Sequence, residues 1–397
     1  MEKEFFTHNR QTLYGLVQTD SVVLAGNVSV QRSHDASYAF EQEANFWYLT
    51  GINAPDWQLI IQNDKCMLIA PDIDEVHRIF DGSLSDKDAL EISGVDTILT
   101  HSAGETLLAE LQKAGSTVSS LGEDPYAGHY DFSLNPGPVQ LLETLRKQFG
   151  EVNDCRLVLA KQRAIKTPKE IELIRASIAL TVAAFEKVRR AIDTYSYEYE
   201  IEADFSYSFR RDGAVGHAYD PIVAAGKNAC TLHYGKNQDQ LIDGDLVLLD
   251  IGARLNGYAA DISRTYAHGK VSERHQAVHA EVVTAHRQII ALLRPDLVIK
   301  EYFEQVDTIM QAALKNLDLL KTKSDYRTYF PHSISHGLGI DVHDSLGSPR
   351  TFEPGMVLTV EPGIYIPEEG IGVRIEDDIL ITAIGNENLS ASLSTDL

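Results

Sequence analysis

The Asn256-Gly257 dipeptide lies between two runs of residues that favour β-strands. Residues 245–250 read DLVLLD, and residues 258–266 read YAADISRTY. Because Asn-Gly tolerates the left-handed backbone of a tight two-residue turn, the three segments together predict an antiparallel hairpin. A two-residue turn sets three opposed pairs, which are Leu255 with Tyr258, Asp250 with Ser263, and Asp261 with Gly252.

This register puts Asp250 and Asp261 on the same face of the hairpin, because side chains alternate between faces with a period of two. Their backbones are then diagonal neighbours, roughly 7–8 Å apart. Two carboxylates on one inward face repel each other, and a bound cation would remove that repulsion. The hairpin therefore predicts one half of a metal site.

A second acid pair follows the same pattern. Residues 355–361 read GMVLTVE and residues 371–381 read IGVRIEDDILI, so that Glu361 ends one apolar run and Glu376 lies within the other. Arg374 shares a face with Glu376 by the same alternation. The segment HSISHGLGIDVHD adds His336, with His332 and His343 on either side of it. We expect five metal ligands, namely Asp250, Asp261, His336, Glu361 and Glu376.

Four carboxylates and one imidazole suit two divalent cations, with a bound hydroxide left as the nucleophile. Oxygen-rich ligation with a single histidine favours Mn²⁺, with Co²⁺ and Zn²⁺ as the alternatives. The sequence contains no HExxH, GxSxG, GxGxxG or Walker A motif. It therefore does not favour the zincin, serine hydrolase, dinucleotide-binding or P-loop classes.

The charge of the chain argues against nucleic acid and anionic membranes as partners. Asp and Glu number 58 against 35 Lys and Arg, a formal charge of −23. Such a surface repels polyanions. Three cysteines without zinc-like spacing fit a reducing compartment. The charged start MEKEFFTHNR and the lack of a long apolar run indicate a cytoplasmic address with no membrane span.

The chain of 397 residues predicts two domains. Residues 1–159 alternate helices (5–18, 104–114, 139–149) with strands (20–26, within 46–61, 65–71), which indicates a small α/β domain. A turn is expected at Gln62-Asn63-Asp64. Residues 160–397 open with a helix over 167–192, where Thr167 and Glu170 form a capping box.

A helix–helix–hairpin unit occurs twice in the second domain. Helices at about 168–211 precede the first acid pair, and helices near 273–293 and 300–318 precede the second. Similar intervals between the two pairs suggest a duplication whose hairpins face each other. The predicted fold class is therefore α+β.

These stretches resemble the aminopeptidase P and prolidase group of the pita-bread metallopeptidases. The resemblance lies in TLHY (231–234), LVLLDIGA, GYAADISRTY, HSISHGLGIDVHD, EPGMVLTVEPGIY (353–365), GIGVRIEDDILIT (370–382) and FWYLTGINAP. It implies a C-terminal pita-bread domain with duplicated halves around an antiparallel sheet, a smaller N-terminal α/β domain, and the five ligands named above.

The resemblance also implies roles for further residues. His233, His332 and His343 match the substrate and transition-state histidines of the family, Arg374 matches the arginine two before the last glutamate, and Tyr219 and Tyr365 match tyrosines near the metals. The implied reaction is hydrolysis of an N-terminal Xaa-Pro bond of proline-containing peptides. A bridging hydroxide attacks the carbonyl, His343 stabilises its oxygen, and Glu361 is both a ligand and the proton shuttle. A homo-oligomer, dimer or tetramer, is the expected assembly.

Two departures from the family keep an alternative open. The segment IPEEGIGV (366–373) is shorter than in typical bacterial members, and RIFDGS (78–83) replaces a frequent tryptophan. An Xaa-Pro dipeptidase (prolidase) restricted to dipeptides is the alternative within the same chemistry. Methionine aminopeptidase shares the metal site but lacks the extra N-terminal domain. Creatine hydrolases and catalytically inactive peptide-binding modules of this fold should each lack some of the five ligands.

Overall fold

The computed structural model describes residues 1–63 and 65–397. The chain divides into two compact units, residues 1–162 and 163–397. The domain boundary predicted after residue 159 stays a prediction, and the first unit ends at Gln162. Within the described ranges, no helix is long and apolar enough to cross a membrane.

The first unit is built on a six-stranded mixed sheet in the order β6-β5-β4-β1-β7-β8. Its strands are β1 Ser21–Ala25, β2 Gln31–Ser33, β3 Ala36–Ser37, β4 Gln58–Gln62, β5 Lys65–Ile69, β6 Thr97–Leu99, β7 Val118–Ser120 and β8 Asn153–Asp154, of which β2 and β3 pair separately. Its helices are α1 Lys3–Leu16, α2 Ala44–Thr50, α3 Glu75–Asp81, α4 Asp86–Ser93, α5 His101–Lys113, α6 Ala127–Tyr130, α7 Pro136–Phe149 and α8 Arg156–Ala164, whose last two residues lie past the unit boundary.

The predicted helices and strands of this unit are confirmed, and α2 is an element that the sequence reasoning did not anticipate. Val23, Ile60 and Leu145 form part of one buried core between the sheet and its helices. The strands on either side of the predicted turn pair antiparallel, with Gln62 opposite Lys65. The predicted turn includes Asp64, which lies outside the described residues.

The second unit contains two helix pairs, each followed by a long hairpin. The helices are α9 Pro168–Ala191, α10 Glu198–Arg211, α11 Glu273–Leu292, α12 Ile299–Asn316 and α13 Asp325–Tyr329, with 3₁₀ turns at Ile192–Thr194 and Gly226–Cys230. The strands are β9 Gly216–His217, β10 Ile222–Ala225, β11 Leu246–Ile251, β12 Ala253–Leu255, β13 Tyr258–Ala259, β14 Ile262–Ala267, β15 Val357–Val360, β16 Gly363–Ile366, β17 Ile371–Arg374, β18 Asp377–Ile381 and β19 Asn386–Asn388. The predicted duplicated helix–helix–hairpin order is confirmed.

The first hairpin has the register expected from its turn. Leu255 lies opposite Tyr258, and Asp250 lies opposite Ser263. Asn256 and Gly257 have φ angles of 53° and 86°, which is the left-handed pair of a type I′ turn. The hydrogen-bonded ladder is interrupted at Gly252. A Cβ at this position would lie 1.7 Å from the carbonyl oxygen of Ala260. This close approach lets Asp261 leave the regular strand and face the same cavity as Asp250.

Replacing Gly257 with alanine is expected to destabilise the protein by about 1–2 kcal/mol, because an L-residue is strained in the left-handed region. Urea unfolding followed by far-UV circular dichroism measures this loss. Gly15→Ala is the control, since no atom lies within 4 Å of the added Cβ and the position is helical. The control is expected to be neutral or slightly stabilising. Equal stabilities for the two variants would contradict a strained turn at Gly257.

The second hairpin has an interrupted ladder like that of the first. Val360 pairs with Asp377 in β15–β18, and Gly363 pairs with Arg374 in β16–β17. The register is continuous across the gap between the two ladders, so Glu361 lies opposite Glu376 within that gap. Asp261, Glu361 and Glu376 therefore occupy interruptions of the two hairpins, where side chains can turn towards a common centre, whereas Asp250 lies within the regular β11–β14 ladder.

Helix α9 packs on the first hairpin through polar as well as apolar residues. The predicted capping box of Thr167 and Glu170 is present. Ser177 is fully buried, its hydroxyl donates to the carbonyl of Tyr258, and it accepts from the amide of Leu255. Thr181 accepts from the amide of Ala253 in the same way. These bonds satisfy the hairpin amides and fix its position against the helix.

Candidate metal centre

A cavity of about 350 Å³ in the second unit gathers the predicted site residues. All of them except Tyr365 line it. Tyr365 is only 2% exposed and lies behind the cavity wall, where it contacts His332 and Arg374. Residues more than a hundred positions apart in sequence are thus brought to one place by the two interrupted hairpins.

The acids lie close enough to share cations. Oxygens of Asp250, Asp261 and Glu376 lie within 4.8 Å of one another, and ligand atoms of His336, Glu361 and Glu376 form a second such group. Asp261, His336 and His343 form a third group, so that Asp261, His336 and Glu376 each belong to two of the three. The hydroxyl of Tyr219 lies 2.7 Å from Oδ1 of Asp250 and 2.6 Å from Oδ1 of Asp261, so it ties the first acid pair together.

His336 presents one ring nitrogen to the acids. Its Nδ1 lies 2.9 Å from the carbonyl oxygen of Gly337, which can only accept, so Nδ1 carries the proton. Nε2 is therefore the nitrogen that faces the acids, and it lies 3.4 Å from Asp261 Oδ2 and 3.6 Å from Glu361 Oε1. A protein-bound metal is usually ligated by a histidine whose other nitrogen is held in this way.

Electrostatics in the cavity favour a bound cation. Burial raises the pKa of Asp261 and of Glu376, and it raises the pKa of Glu361 to about 7. Burial opposes the charged form of His336, but the hydrogen bond to Asp261 and the charge of Glu361 outweigh it and raise its pKa to about 9. The carboxyl pKa values are raised by burial and, to a smaller extent, by mutual repulsion, whereas that of His336 is raised by the attraction of the same acids, so all four shifts mark a cluster of buried negative charges. Divalent cations would compensate them, so the residues present fit metal ions.

Arg374 links the two acid pairs from beneath the cavity. Its side chain is 5% exposed, and Nη2 donates to Asp250 Oδ2 at 2.6 Å. Nε donates to the hydroxyl of Ser263, which donates in turn to Glu376 Oε2 at 2.7 Å. Because Asp250 and Glu376 belong to different hairpins, Arg374 and Ser263 fix the position of one ligand relative to the other.

His332 takes part in a directed series of hydrogen bonds. Its Nδ1 lies 2.7 Å from the carbonyl oxygen of Ser333, so Nδ1 is the donor and Nε2 must accept. Tyr365 accepts from Arg374 Nη1 at 2.8 Å and donates to this Nε2 at 2.9 Å. Burial, with the nearby Arg374, lowers the pKa of His332 to about 4. His332 is therefore a neutral imidazole, with Nδ1 3.5 Å from Oε2 of Glu361.

His343 and His233 occupy the open side of the cavity. Both are exposed, and the ring of His343 lies 4.2 Å from that of His336 between centroids. Desolvation within the cavity, together with the charge of His336, lowers the pKa of His343 to about 4. The structure thus gathers all three additional histidines around the acids.

Sequence reasoning missed two groups that support the cavity. Asp378 is fully buried and accepts from the amide of Asp261 at 3.2 Å. Burial and the charge of Asp261 hold its pKa well above the usual range. The sequence carried a signal for Asp378, because side chains of a strand alternate between faces. Glu376 and Asp378 therefore share a face, whereas Asp377 points the other way and pairs with Arg264 at 2.7 Å.

The second missed group anchors the loop that carries His336 and His343. Arg163 Nη2 lies 2.9 Å from Asp344 Oδ1, and Lys166 Nζ lies 3.5 Å from Asp344 Oδ2. The amide of Asp344 donates to the carbonyl of Gly337 at 2.8 Å. A Cβ on Gly337 would lie 2.4 Å from the Asp344 carbonyl oxygen, so glycine permits this closure. Nothing local in the sequence pairs residues 163 and 344.

This arrangement places the protein in a class, the metal-dependent hydrolases in which each of two half-domains contributes a pair of acids. Residues 172–383 match metallopeptidase family M24, and residues 6–119 match the aminopeptidase P N-terminal domain. An Xaa-Pro aminopeptidase of Escherichia coli K12 is 35% identical over 99% of this chain and 96% of its own length.

Solved structures agree with the sequence comparisons. The aminopeptidase P of E. coli with the inhibitor Pro-Leu superposes with a TM-score of 0.86 and 33% identity, covering 100% of this chain and 96% of that one. A zinc-substituted form of the E. coli enzyme in complex with product gives a TM-score of 0.83 at 33% identity, with the same coverage. The chain belongs to metallopeptidase family M24, in its aminopeptidase P group. It is a metal-dependent peptidase, and the α+β fold class with the pita-bread catalytic domain is confirmed.

Proposed function

We propose that the protein is an Xaa-Pro aminopeptidase, which hydrolyses the bond between the first residue of a peptide and a following proline. The observation that carries this proposal is the convergence of the five candidate ligands in one cavity of a chain that matches Xaa-Pro aminopeptidases along its length. Proline lacks an amide hydrogen and has a fixed φ, so its bond requires a dedicated peptidase.

The proposed cofactor is a pair of divalent cations, with Mn²⁺ ahead of Co²⁺ and Zn²⁺ because four of the five ligands are carboxylates. The residues that would hold them are Asp250, Asp261, His336, Glu361 and Glu376. When bound, two such ions supply a nucleophilic hydroxide at neutral pH and polarise the substrate carbonyl.

Glu361 is the proposed proton carrier. Its carboxyl group is largely buried, with 16% of the side chain exposed, and its Oε2 lies 3.5 Å from Nδ1 of His332. A carboxyl group can accept a proton as the carboxylate and release it again as the acid. The prolyl nitrogen becomes a secondary amine when the bond breaks, and it needs a proton to leave. Glu361 is the acid in the cavity placed to give it.

The histidines are proposed to bind the substrate. His343 and His233 face the open side of the cavity, where an imidazole N–H can donate a hydrogen bond to a carbonyl oxygen of the peptide. His332 has both ring nitrogens engaged with Ser333 and Tyr365. It would contact substrate only by giving up one of these bonds, and its position beside Glu361 favours an orienting role. Tyr219 and Arg374 keep the acids in place.

We also propose an assembly, a cellular location and a class of natural substrates for the enzyme. A homo-oligomer, dimer or tetramer, is proposed from the resemblance to the aminopeptidase P group, and size-exclusion chromatography with light scattering tests it. A cytoplasmic location is proposed because the three cysteines are free thiols within the described structure. The proposed natural substrates are proline-containing peptides.

Chelation and reconstitution test the function directly. Removal of metal with a chelator is expected to lower the hydrolysis of Ala-Pro-Ala by at least about 10³-fold, because metal-ion catalysis is worth several kcal/mol. Addition of Mn²⁺ should restore it. Ala-Ala-Ala is the control peptide and should resist cleavage. Cleavage of Ala-Pro but not of Ala-Pro-Ala would identify an Xaa-Pro dipeptidase instead, and cleavage of neither with two metals bound would contradict both.

A further inference from the structure

Asp220 is a carboxylate in the cavity wall that the proposed mechanism does not use. It is exposed and lines the same cavity as the acids. Among the described residues its carboxylate forms no ion pair or hydrogen bond, and it interacts electrostatically with His217, whose pKa burial lowers to about 4. An acid that faces a substrate cavity without an ion-pair or hydrogen-bond partner in the protein is available for a cationic group of the substrate.

The backbone around Asp220 is fixed relative to the acids. Ile222 lies directly opposite Asp250 in the β10–β11 ladder. Asp220 precedes Ile222 by two residues, and both side chains line the cavity. The next residue is Pro221, whose carbonyl accepts from the buried Asn237 side chain at 2.8 Å. The proline restricts the backbone of Asp220 to extended conformations.

The charge balance of the cavity leaves Asp220 uncompensated. Two divalent cations would balance the four carboxylate ligands. Arg374, the arginine in the cavity lining, is engaged with Asp250, Ser263 and Tyr365. Its positive charge would offset that of a hydroxide bound together with the ions. The negative charge of Asp220 therefore remains and attracts a cation into the cavity mouth.

We propose that Asp220 selects peptides whose first residue has a basic side chain, lysine or arginine, before proline. The proposal rests on the Xaa-Pro aminopeptidase function. The α-ammonium group is two bonds from the scissile carbonyl carbon and therefore lies beside the reaction centre, close to the buried acids. Asp220 is exposed, whereas Asp261 and Glu376 in the same cavity are buried, so Asp220 lies on the outer side of the reaction centre, where a long side chain would extend. Leu232 and Val342 also line the cavity and offer apolar contact to its methylene groups.

Matched peptides test the selectivity. The wild-type enzyme with Mn²⁺ is expected to cleave Lys-Pro-Ala with a kcat/KM about tenfold above that for norleucine-Pro-Ala, since one charge-assisted hydrogen bond supplies about this factor. Asp220→Asn should lower the ratio of the two kcat/KM values to near one. The ratio in the wild type should also fall at 1 M salt, because an exposed ion pair is screened.

Asp212→Asn is the control variant. Asp212 is exposed, does not line the cavity, and its replacement changes the net charge by the same amount. Its ratio should match that of the wild type. An unchanged ratio in Asp220→Asn overturns the proposal. If kcat/KM falls equally for both peptides, the ratio is also unchanged, and Asp220 is assigned to the α-ammonium group instead. Failure of the wild type to cleave Ala-Pro-Ala would instead overturn the aminopeptidase function itself.

Discussion

Glu361→Gln is expected to lower kcat for Ala-Pro-Ala by about 10²–10⁴-fold, the range for loss of a general acid or base. The amide keeps the size of the side chain and an oxygen for the metal site, but it cannot transfer a proton. The measurement is steady-state kinetics at saturating Mn²⁺, with bound metal quantified by plasma mass spectrometry. Metal content separates loss of proton transfer from loss of a ligand.

Glu353→Gln provides the control for this substitution. Glu353 is exposed and precedes the same strand, and its amide donates to the sulfur of Met356. Its replacement is expected to leave kcat unchanged. A Glu361→Gln enzyme that binds two metals and keeps kcat within about threefold of the wild type would remove Glu361 as the proton carrier. One of the histidines would then have to serve.

The parts of the fold that were predictable depend on short-range chemistry. The Asn256-Gly257 turn fixes the register of a whole hairpin, because a two-residue turn allows one pairing and side chains alternate strictly. The capping box at Thr167 starts α9 at Pro168, as expected from residues three apart. Helix α10 ends at Arg211, the last residue of the predicted helical range, and Gly213 just after it has a φ of 94°, a conformation that favours glycine.

The unpredicted parts depend on packing between distant segments. Ser177 and Thr181 interrupt the apolar stripe of α9, and sequence periodicity treats them as weak core positions. Both are buried because hairpin amides need acceptors at that contact. The anchoring of Asp344 by Arg163 and Lys166 is equally invisible, since the partners come together only when the second unit has folded.

The site also has parts that the sequence predicts and parts that it does not. The acids were visible because each ends or interrupts an apolar strand, and alternation assigns them to a face. The hydrogen bonds that orient them were not visible. Ser263 was expected on the face of Asp250, but its bridge from Arg374 to Glu376 requires the two hairpins to lie side by side. The identity of the ligands could therefore be predicted from the local sequence, whereas their orientation depends on tertiary contacts.

Arg374→Met is expected to reduce the free energy of unfolding of the metal-free protein by about 3–5 kcal/mol, because it leaves buried carboxylates without their cation. Asp250 would also lose the donor that orients it, so Mn²⁺ affinity should fall by about 10–100-fold. Urea unfolding in chelator measures the first effect, and calorimetric titration with Mn²⁺ measures the second. Arg374→Lys keeps the charge but cannot reach Asp250, Ser263 and Tyr365 together, so its losses should be intermediate.

Arg175→Met is the matched control, because Arg175 makes a bidentate pair with Glu387 at the surface, where the two side chains are 41% and 46% exposed. An exposed pair contributes at most about 1 kcal/mol, and this one lies outside the cavity, so Mn²⁺ affinity should not change. If Arg374→Met lost stability but kept wild-type Mn²⁺ affinity, Arg374 would support the fold without orienting the ligands. A fall in both, with Arg374→Lys between, would show that one buried cation holds the two hairpins in the geometry that the metals require.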